Sequence, residues 1–230
     1  ISNPATNEPL LNELSSYLAQ NQFDLKILMR EILRSETYQR SSEVLPKNKQ
    51  DDRFYSRFYP RRLMAEVLLD AISQVSEVPT AFQKIEHKGA DIRTTKEYPL
   101  GTRATELYDS AVLSSFLSKF GRNNRDIVCE CERNNKPSLV QVLHIANGGT
   151  INEKLKSNSS CVEIAIAKPV TANRAIIREA FLKTVAREPT ENESTSLLQI
   201  IEQAGLNDRR SAIEDLYWSL MSSREFLFQH

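Results

Sequence analysis

The sequence predicts an all-α protein, an irregular antiparallel bundle of about seven to eight helices. Several segments repeat apolar residues at i, i+3 and i+4 spacing, which is typical of amphipathic helices. The 230 residues also include only six glycines, whereas a many-stranded sandwich needs tight turns at short intervals. The exception is a long irregular loop at 79–107, where short strands are expected around 82–85 or 91–95.

The composition is that of an ordinary globular chain, with 40% hydrophobic and 26% charged residues. Lysine plus arginine equals aspartate plus glutamate, 30 against 30, and this balance disfavours a dedicated nucleic-acid binder. No apolar stretch approaches the roughly 20 residues of a membrane-spanning helix. We therefore expect a single helical domain over 1–230, with one candidate subdivision into 1–148 and 149–230. Because the chain begins at Ile1 and not at an initiator methionine, we also expect it to be a fragment of a larger protein.

The first half of the chain contains three predicted helices. Asn7 and Asp24 are suitable N-caps for the first two, because their side chains accept hydrogen bonds from free backbone N–H groups. Residues 40–56 are polar and lack periodicity, so a surface loop is expected there. Pro60 is predicted to open the third helix. Its apolar stripe comprises Leu63, Val67, Leu68, Ala71, Ile72 and Val75.

Helical periodicity returns after the irregular loop. Helices are expected over 110–120, 138–147 and 171–186, with glycines after the first two. Thr190 and Glu193 have the spacing of a capping box, which begins a further helix that ends near Gly205. The last helix is expected to bury Ile213, Leu216, Tyr217, Leu220 and Met221.

The densest polar segment is 121–135, which reads GRNNRDIVCECERNN. In an extended backbone Cys129 and Cys131 point to one side, and Glu130 and Glu132 to the other. The segment therefore offers either two thiolates or two carboxylates on one surface. The alternative is a structural role, in which the cysteines are small buried residues and the charged side chains pair with one another.

A metal site is one interpretation of the two cysteines, with Cys161 or His144 completing the ligand set. Structural zinc sites, however, separate a cysteine pair by two to four residues, and here one residue intervenes. In an oxidising compartment a disulfide to Cys161 is another option. The sequence leaves these alternatives open.

A second polar set follows Pro60, where Arg62, Glu66 and Asp70 are spaced four residues apart. On a helix this spacing stacks the three side chains on the face opposite the apolar stripe. Two carboxylates could perform acid–base chemistry if burial separated their pKa values. The favoured interpretation is a solvated face with weak surface ion pairs.

A third set, Gln141, His144 and Asn147, lies on the helix predicted after Pro137. A histidine on a mixed face is more often a hydrogen-bonded structural residue than a ligand or a base. No cysteine or serine at a known spacing completes a catalytic triad. The sequence also lacks a glycine-rich phosphate loop, a His-Glu-x-x-His zinc helix and a Cys-x-x-Cys-His haem motif.

Several segments together resemble the planctomycete-type domain of unknown function 1553. YSRFYPRRLMAEVLLDAISQVS and FGRNNRDIVCECERNNKPSLVQVLHIANG carry much of the resemblance, with CECER and the closing EFLF fairly specific. The matching segments are 3–42, 55–76, 98–107, 120–148, 180–193 and 222–230. The positions that match the most recurrent polar motif are Arg122, Cys129, Glu130, Cys131, Glu132, Arg133, Gln141, His144 and Asn147.

The resemblance implies a cellular location and neighbouring domains, but it does not imply a reaction. Such domains sit at the C-terminal end of large exported proteins, and many members carry a cytochrome-c-like haem module near the N-terminus. This implies a periplasmic or cell-surface location, with haem in upstream modules and no cofactor in this chain. The family has no established catalytic residues to carry over.

Three functions are compatible with these observations. The first is a non-catalytic interaction or scaffolding module that docks other domains of the same polypeptide or a surface partner protein. The second is an enzyme or metal site built from 121–147, with Glu130, Glu132 or His144 as acid or base. The third is carbohydrate (polysaccharide) binding, which would use exposed aromatics: Tyr55, Phe58, Tyr59 and Tyr98.

Overall fold

The computed structural model describes residues 5, 7–51, 54–87, 89–123 and 138–229, and it confirms the all-α architecture. The helices are α1 (Glu8–Gln20), α2 (Leu25–Arg34), α3 (Ala65–Ser76), α4 (Ser115–Lys119), α5 (Leu139–Asn147), α6 (Gly149–Lys156), α7 (Cys161–Ile166), α8 (Asn173–Val185), α9 (Glu191–Ser222) and α10 (Arg224–Leu227). Among the described residues, no helix combines the length and the apolar character that crossing a membrane requires.

Four two-residue strands accompany the helices in the described part of the chain. They are β1 (Arg61–Arg62), β2 (Lys84–Ile85), β3 (Arg93–Thr94) and β4 (Phe228–Gln229). β1 pairs antiparallel with β4, and β2 pairs antiparallel with β3. The second pair lies inside the irregular loop, where the sequence predicted short strands.

The chain divides into two compact units, Ile1–Pro60 and Arg61–Gln229. The division falls at Pro60, whereas the sequence suggested a subdivision after residue 148. Residue 148 lies inside the larger unit, because α5 packs against α6, and α6 packs in turn against α3 and α9. The junction between α5 and α6 is therefore a turn within one core rather than a boundary.

The smaller unit contains α1, α2 and an irregular segment. Asn7 Oδ1 accepts a hydrogen bond from Leu10 N at 3.2 Å, and Asp24 Oδ1 accepts one from Lys26 N at 2.8 Å. Both predicted N-caps are therefore present. The sequence places apolar residues at helical spacing in both helices, but no residue of α1 or α2 is buried. These two helices add nothing to a shared buried interior.

The core lies in the larger unit, where α9 packs against α6, α7, α8 and α10, and α3 packs against α4, α6 and α7. Aliphatic and aromatic side chains from all these elements form one buried cluster. The largest fully buried side chains include Leu68, Ile72, Leu117, Ile151, Ile177, Ile213, Tyr217 and Met221. Burial of such side chains contributes about 1.5–3 kcal/mol each to folding.

Two predicted helices are shorter than expected. The helix expected from Pro60 begins only at Ala65, because the preceding arginines pair with β4 at the far end of the chain. The helix expected over 110–120 is confined to α4, because Val112 forms a β-bridge with Ile85 and Ser114 then caps the helix. Both differences come from pairing with distant residues.

The C-terminal helices agree with the sequence. Thr190 and Glu193 form the predicted capping box at the start of α9. α9 is interrupted at Gly205, whose φ of 65° and ψ of −170° are not helical. A left-handed φ of this kind favours glycine, which has no Cβ. The predicted break at Gly205 is confirmed.

Candidate functional site

Arg62 does not lie on helix α3, as the sequence predicted, but in strand β1. Its guanidinium donates to Phe120 O at 2.8 Å through Nη2 and to Leu63 O at 3.1 Å through Nη1. The same group lies 5.4 Å from the centre of the Phe120 ring. Arg62 thus ties β1 to the end of α4.

Glu66 pairs with Arg122, an arginine of the first polar set. The distance from Arg122 Nε to Glu66 Oε1 is 3.8 Å, and the side chains are 8% and 13% exposed, respectively. Arg122 Nη2 also donates to Asp109 O at 3.0 Å. The interpretation of Glu66 as part of a solvated face is therefore wrong, because tertiary packing encloses its carboxylate.

Asp70 caps a 3₁₀ turn, Ala104–Glu106, in the irregular loop. Its carboxylate accepts hydrogen bonds from Ala104 N at 2.5 Å, Thr105 N at 3.1 Å and Thr105 Oγ1 at 2.8 Å. Arg103 Nε lies 3.6 Å from Asp70 Oδ2. The Asp70 side chain is 13% exposed, so it too is not part of a solvated face. Asp70 anchors the loop to α3.

Gln141 is bonded into the backbone at the start of α5. Its Nε2 donates to Lys119 O at 3.0 Å, and its Oε1 accepts from Ser138 N at 3.3 Å. These contacts join α5 to the end of α4. Asn147 is exposed in the last turn of the same helix.

His144 lies between aromatic rings and a threonine. Its ring is 5.7 Å from the Phe116 ring and 5.9 Å from the Phe120 ring, both in edge orientations. Its Nε2 is 2.9 Å from Thr150 Oγ1. Burial lowers the pKa of His144, and the Lys119 charge lowers it further, so the imidazole is neutral at pH 7.

The structure brings members of all three polar sets to one end of α4. The Phe120 carbonyl and ring contact Arg62, and the same ring contacts His144. The contacts of these groups described above are with backbone carbonyls, aromatic rings and the Thr150 hydroxyl, together with the Glu66–Arg122 ion pair. Such contacts position the ends of the elements and hold the irregular loop in place. They are the contacts of structural residues.

The cysteine-rich part of the first polar set, Cys129, Glu130, Cys131, Glu132 and Arg133, lies outside the described residues. Cys161 is described and buried, and burial raises the pKa of its thiol to about 12. A thiol that stays protonated at neutral pH is a poor metal ligand, because metals bind the thiolate. Within the described part of the chain, no three His, Cys, Asp or Glu residues cluster in a way that could hold a metal ion.

The structure places the aromatic residues proposed for sugar binding in different environments. Tyr98 is 4% exposed and packs against Tyr108, with ring centres 5.2 Å apart. A buried ring cannot stack on a sugar, so Tyr98 is removed from that candidate surface. Tyr55 and Tyr59 lie together in the smaller unit, with ring centres 5.7 Å apart.

Lys154 is a buried charged residue that the sequence analysis missed. Lys154 of α6 is 9% exposed and lines a groove of about 400 Å³. The sequence does indicate that Lys154 faces the core, because Lys154 follows Ile151 by three residues and directly precedes Leu155. All three therefore lie on the inner side of α6 and are buried.

These features define a mostly helical module whose described polar candidates hold its own loops and helix ends together. The chain belongs to the family described as PSD1, protein of unknown function (DUF1553), whose sequence model matches residues 2–201. This match confirms the family to which the sequence segments pointed. The chain matches no curated protein and no solved structure.

Proposed function

We propose that this chain is a non-catalytic interaction module, which binds another domain of its own polypeptide or a surface partner protein. One observation carries the proposal, namely the outer face of helix α5. This face, called here the α5 face, consists of Leu139, Val140, Val142 and Leu143. Their exposed fractions are 72%, 55%, 60% and 52%, respectively.

An amphipathic helix of a globular protein normally turns its apolar face to the core and its polar face to solvent. α5 turns Gln141 and Ile145 towards the core of the larger unit, where both are buried. Its opposite side carries the four aliphatic residues of the α5 face. Leu139 is three and four residues from Val142 and Leu143, and Val140 is three residues from Leu143. Residues at these spacings are neighbours on a helix surface, so the four side chains form one contiguous patch. Exposed apolar patches of this kind mark sites where proteins associate.

The polar candidates also favour a binding module over an enzyme. Asp70 accepts three hydrogen bonds from the loop that it caps. Arg62 and Gln141 donate to backbone carbonyls. A general acid or base must reach a substrate atom directly or through one water, and groups engaged in holding backbone are poorly placed for that role.

Site-specific photo-crosslinking in the complete natural protein, within the cells that produce it, tests this proposal. A photoreactive residue replaces Val142 in one variant and Ile200, which lies on α9 and is 55% exposed, in the control. We expect Val142 to crosslink to a defined protein segment and Ile200 to give no such product. Absence of a product at Val142, or the same products at both positions, would contradict the proposal.

We also propose a cellular location for the protein and a location for any haem. Its family membership supports an exported protein that acts in the periplasm or at the cell surface, with any haem carried by other modules. Fractionation of producing cells tests the location, and absorbance of the purified 230-residue chain tests for haem. Recovery of the protein in the cytoplasmic fraction, or a haem spectrum from this chain, would contradict this extension.

A further inference from the structure

A groove in the larger unit encloses the amino group of Lys154. The groove lies between helix α6, the residues at the start of α4 and the segment 78–80 that follows α3. Lys154 Nζ donates a hydrogen bond of 2.5 Å to Val78 O. An ammonium group has three donors, so this contact leaves two.

The side chain of Lys154 is almost fully removed from solvent. Within the described residues, no carboxylate lies within ion-pair distance of its Nζ. Buried charges in proteins are normally paired, because an isolated one loses its hydration. Burial lowers the pKa of Lys154 to about 8, so the group still carries its charge at neutral pH. The other charged residue of the groove is Glu153, which is exposed.

Hydroxyl groups line the groove that contains Lys154. The groove is lined by Thr80, Ser114, Ser115, Thr150 and Ser157. Ser114 Oγ accepts a hydrogen bond from Leu117 N at 3.4 Å, which leaves its proton available to a ligand. Thr150 is positioned by its contact with His144. Leu69 and Phe116 supply apolar walls.

We propose that this groove binds a small organic ligand through a single carboxylate, with Lys154, Ser114 and Thr150 as its donors. One buried positive charge matches one negative charge, and charge-assisted hydrogen bonds are the strong ones. The exposed carboxylate of Glu153 opposes a doubly charged anion such as phosphate. The apolar walls suit the organic part of the ligand, because small-molecule sites combine apolar lining with a few polar groups. None of these residues belongs to the α5 face, so this proposal stands apart from the proposed function.

NMR titration of the 13C-labelled chain with sodium acetate and with sodium benzoate tests the site. We expect a saturable shift of the Lys154 Cε resonance, with a larger affinity for benzoate. Lys156, an exposed lysine on the same helix, serves as the internal control, and the chemical shift of its Cε should not change. A resonance of Lys154 that does not move, or that moves only as much as Lys156, would overturn the proposal.

Two substitutions and a competing anion complete the test. Lys154→Met keeps the length of the side chain and should weaken benzoate binding by roughly tenfold or more, whereas Lys156→Met should not change it. Thr150→Val should weaken binding several-fold. Unchanged affinity in Lys154→Met, or tighter binding of inorganic phosphate than of benzoate, would also overturn the assignment. If Lys154→Met does not fold, the shifts in the unmodified chain decide the question.

Discussion

Glu66 on α3 and Arg122 beyond α4 form an ion pair in the larger unit, with 3.8 Å between Oε1 and Nε and with both side chains almost enclosed. The two residues are far apart in sequence, and each belonged to a different predicted polar set. Removing one partner of such a pair leaves the other charge buried, which is strongly destabilising. The pair therefore connects helix α3 with Arg122, a residue of the polar segment that the sequence analysis singled out as a candidate site.

We predict that Glu66→Gln lowers the free energy of unfolding by about 2 kcal/mol or more, because the enclosed Arg122 would lose the negative charge of Glu66. Urea denaturation of the chain measures this change. Glu188→Gln is the matched control, since Glu188 pairs with Arg178 at an exposed site, and we expect no measurable effect there. Equal effects of the two substitutions would show that the Glu66–Arg122 pair does not contribute to the core.

A second prediction concerns Arg209, which is 7% exposed. It donates to Asn173 Oδ1 at 3.0 and 3.1 Å and to Ile166 O at 3.0 Å. In the described chain no carboxylate pairs with this guanidinium, and Asn173 Nδ2 is buried without a hydrogen-bond partner. Asn173→Asp would supply the missing charge and remove that donor. We expect stabilisation of about 1–2 kcal/mol at pH 7, measured by urea denaturation.

The sign of the pH dependence checks this second prediction. The new carboxyl group would have a lower pKa in the folded state than its usual value of about 3.9, because it pairs with Arg209. The gain in stability should therefore be present above about pH 4 and disappear as the pH falls below it. A variant less stable than the parent at pH 7 would contradict this account of the Arg209 site.

A third prediction concerns acid sensitivity at the start of α9. Hydrogen bonds from Arg187 and then from the Thr190 backbone lower the pKa of Glu193 to about 2. Because the folded pKa is depressed, this contribution to stability is present above the unfolded value, about 4.3, and is lost as the pH falls towards 2. Glu193→Gln should flatten the fall in the urea midpoint across that range. Glu191→Gln, in the same helical turn, should leave the fall unchanged, and a flattened curve in both variants would contradict the prediction.

A fourth prediction concerns the break in α9. The φ of 65° and ψ of −170° at Gly205 lie in a region that is essentially restricted to glycine, although no atom lies within 4 Å of a Cβ built there. We expect Gly205→Ala to lower the free energy of unfolding by about 1–2 kcal/mol through backbone strain alone. Asn207→Ala, close by on the same helix, is the control. A Gly205→Ala variant as stable as the parent would show that the backbone at this position is free to adopt another conformation.

The sequence predicted the features that depend on neighbouring residues. Asn7 caps α1 and Asp24 caps α2 because each side chain reaches backbone N–H groups two or three residues ahead. The Thr190–Glu193 capping box and the break at Gly205 are local in the same sense. Each of these signals is complete within four residues, so no knowledge of the tertiary structure is required.

The errors arose where distant parts of the chain meet. Arg62 was placed on a helix, but it pairs in register with Phe228 across the two-stranded sheet. Glu66 was assigned to solvent because its partner Arg122 lies beyond α4. The spacing of Lys154 relative to Ile151 and Leu155 indicated its inner position on α6, but only the packed structure shows which groups surround its ammonium. No local pattern encodes these pairings, which depend on how the elements pack.

The most direct test of the central claim is hydroxyl-radical footprinting of the complete natural protein in its producing cells, with Leu143 on the α5 face compared with Ile200. The two side chains are 52% and 55% exposed in the chain itself, so their modification rates should be similar unless something covers one of them. The account predicts that Leu143 is modified several-fold more slowly than Ile200, because a partner covers the α5 face. Equal rates at the two residues would contradict it.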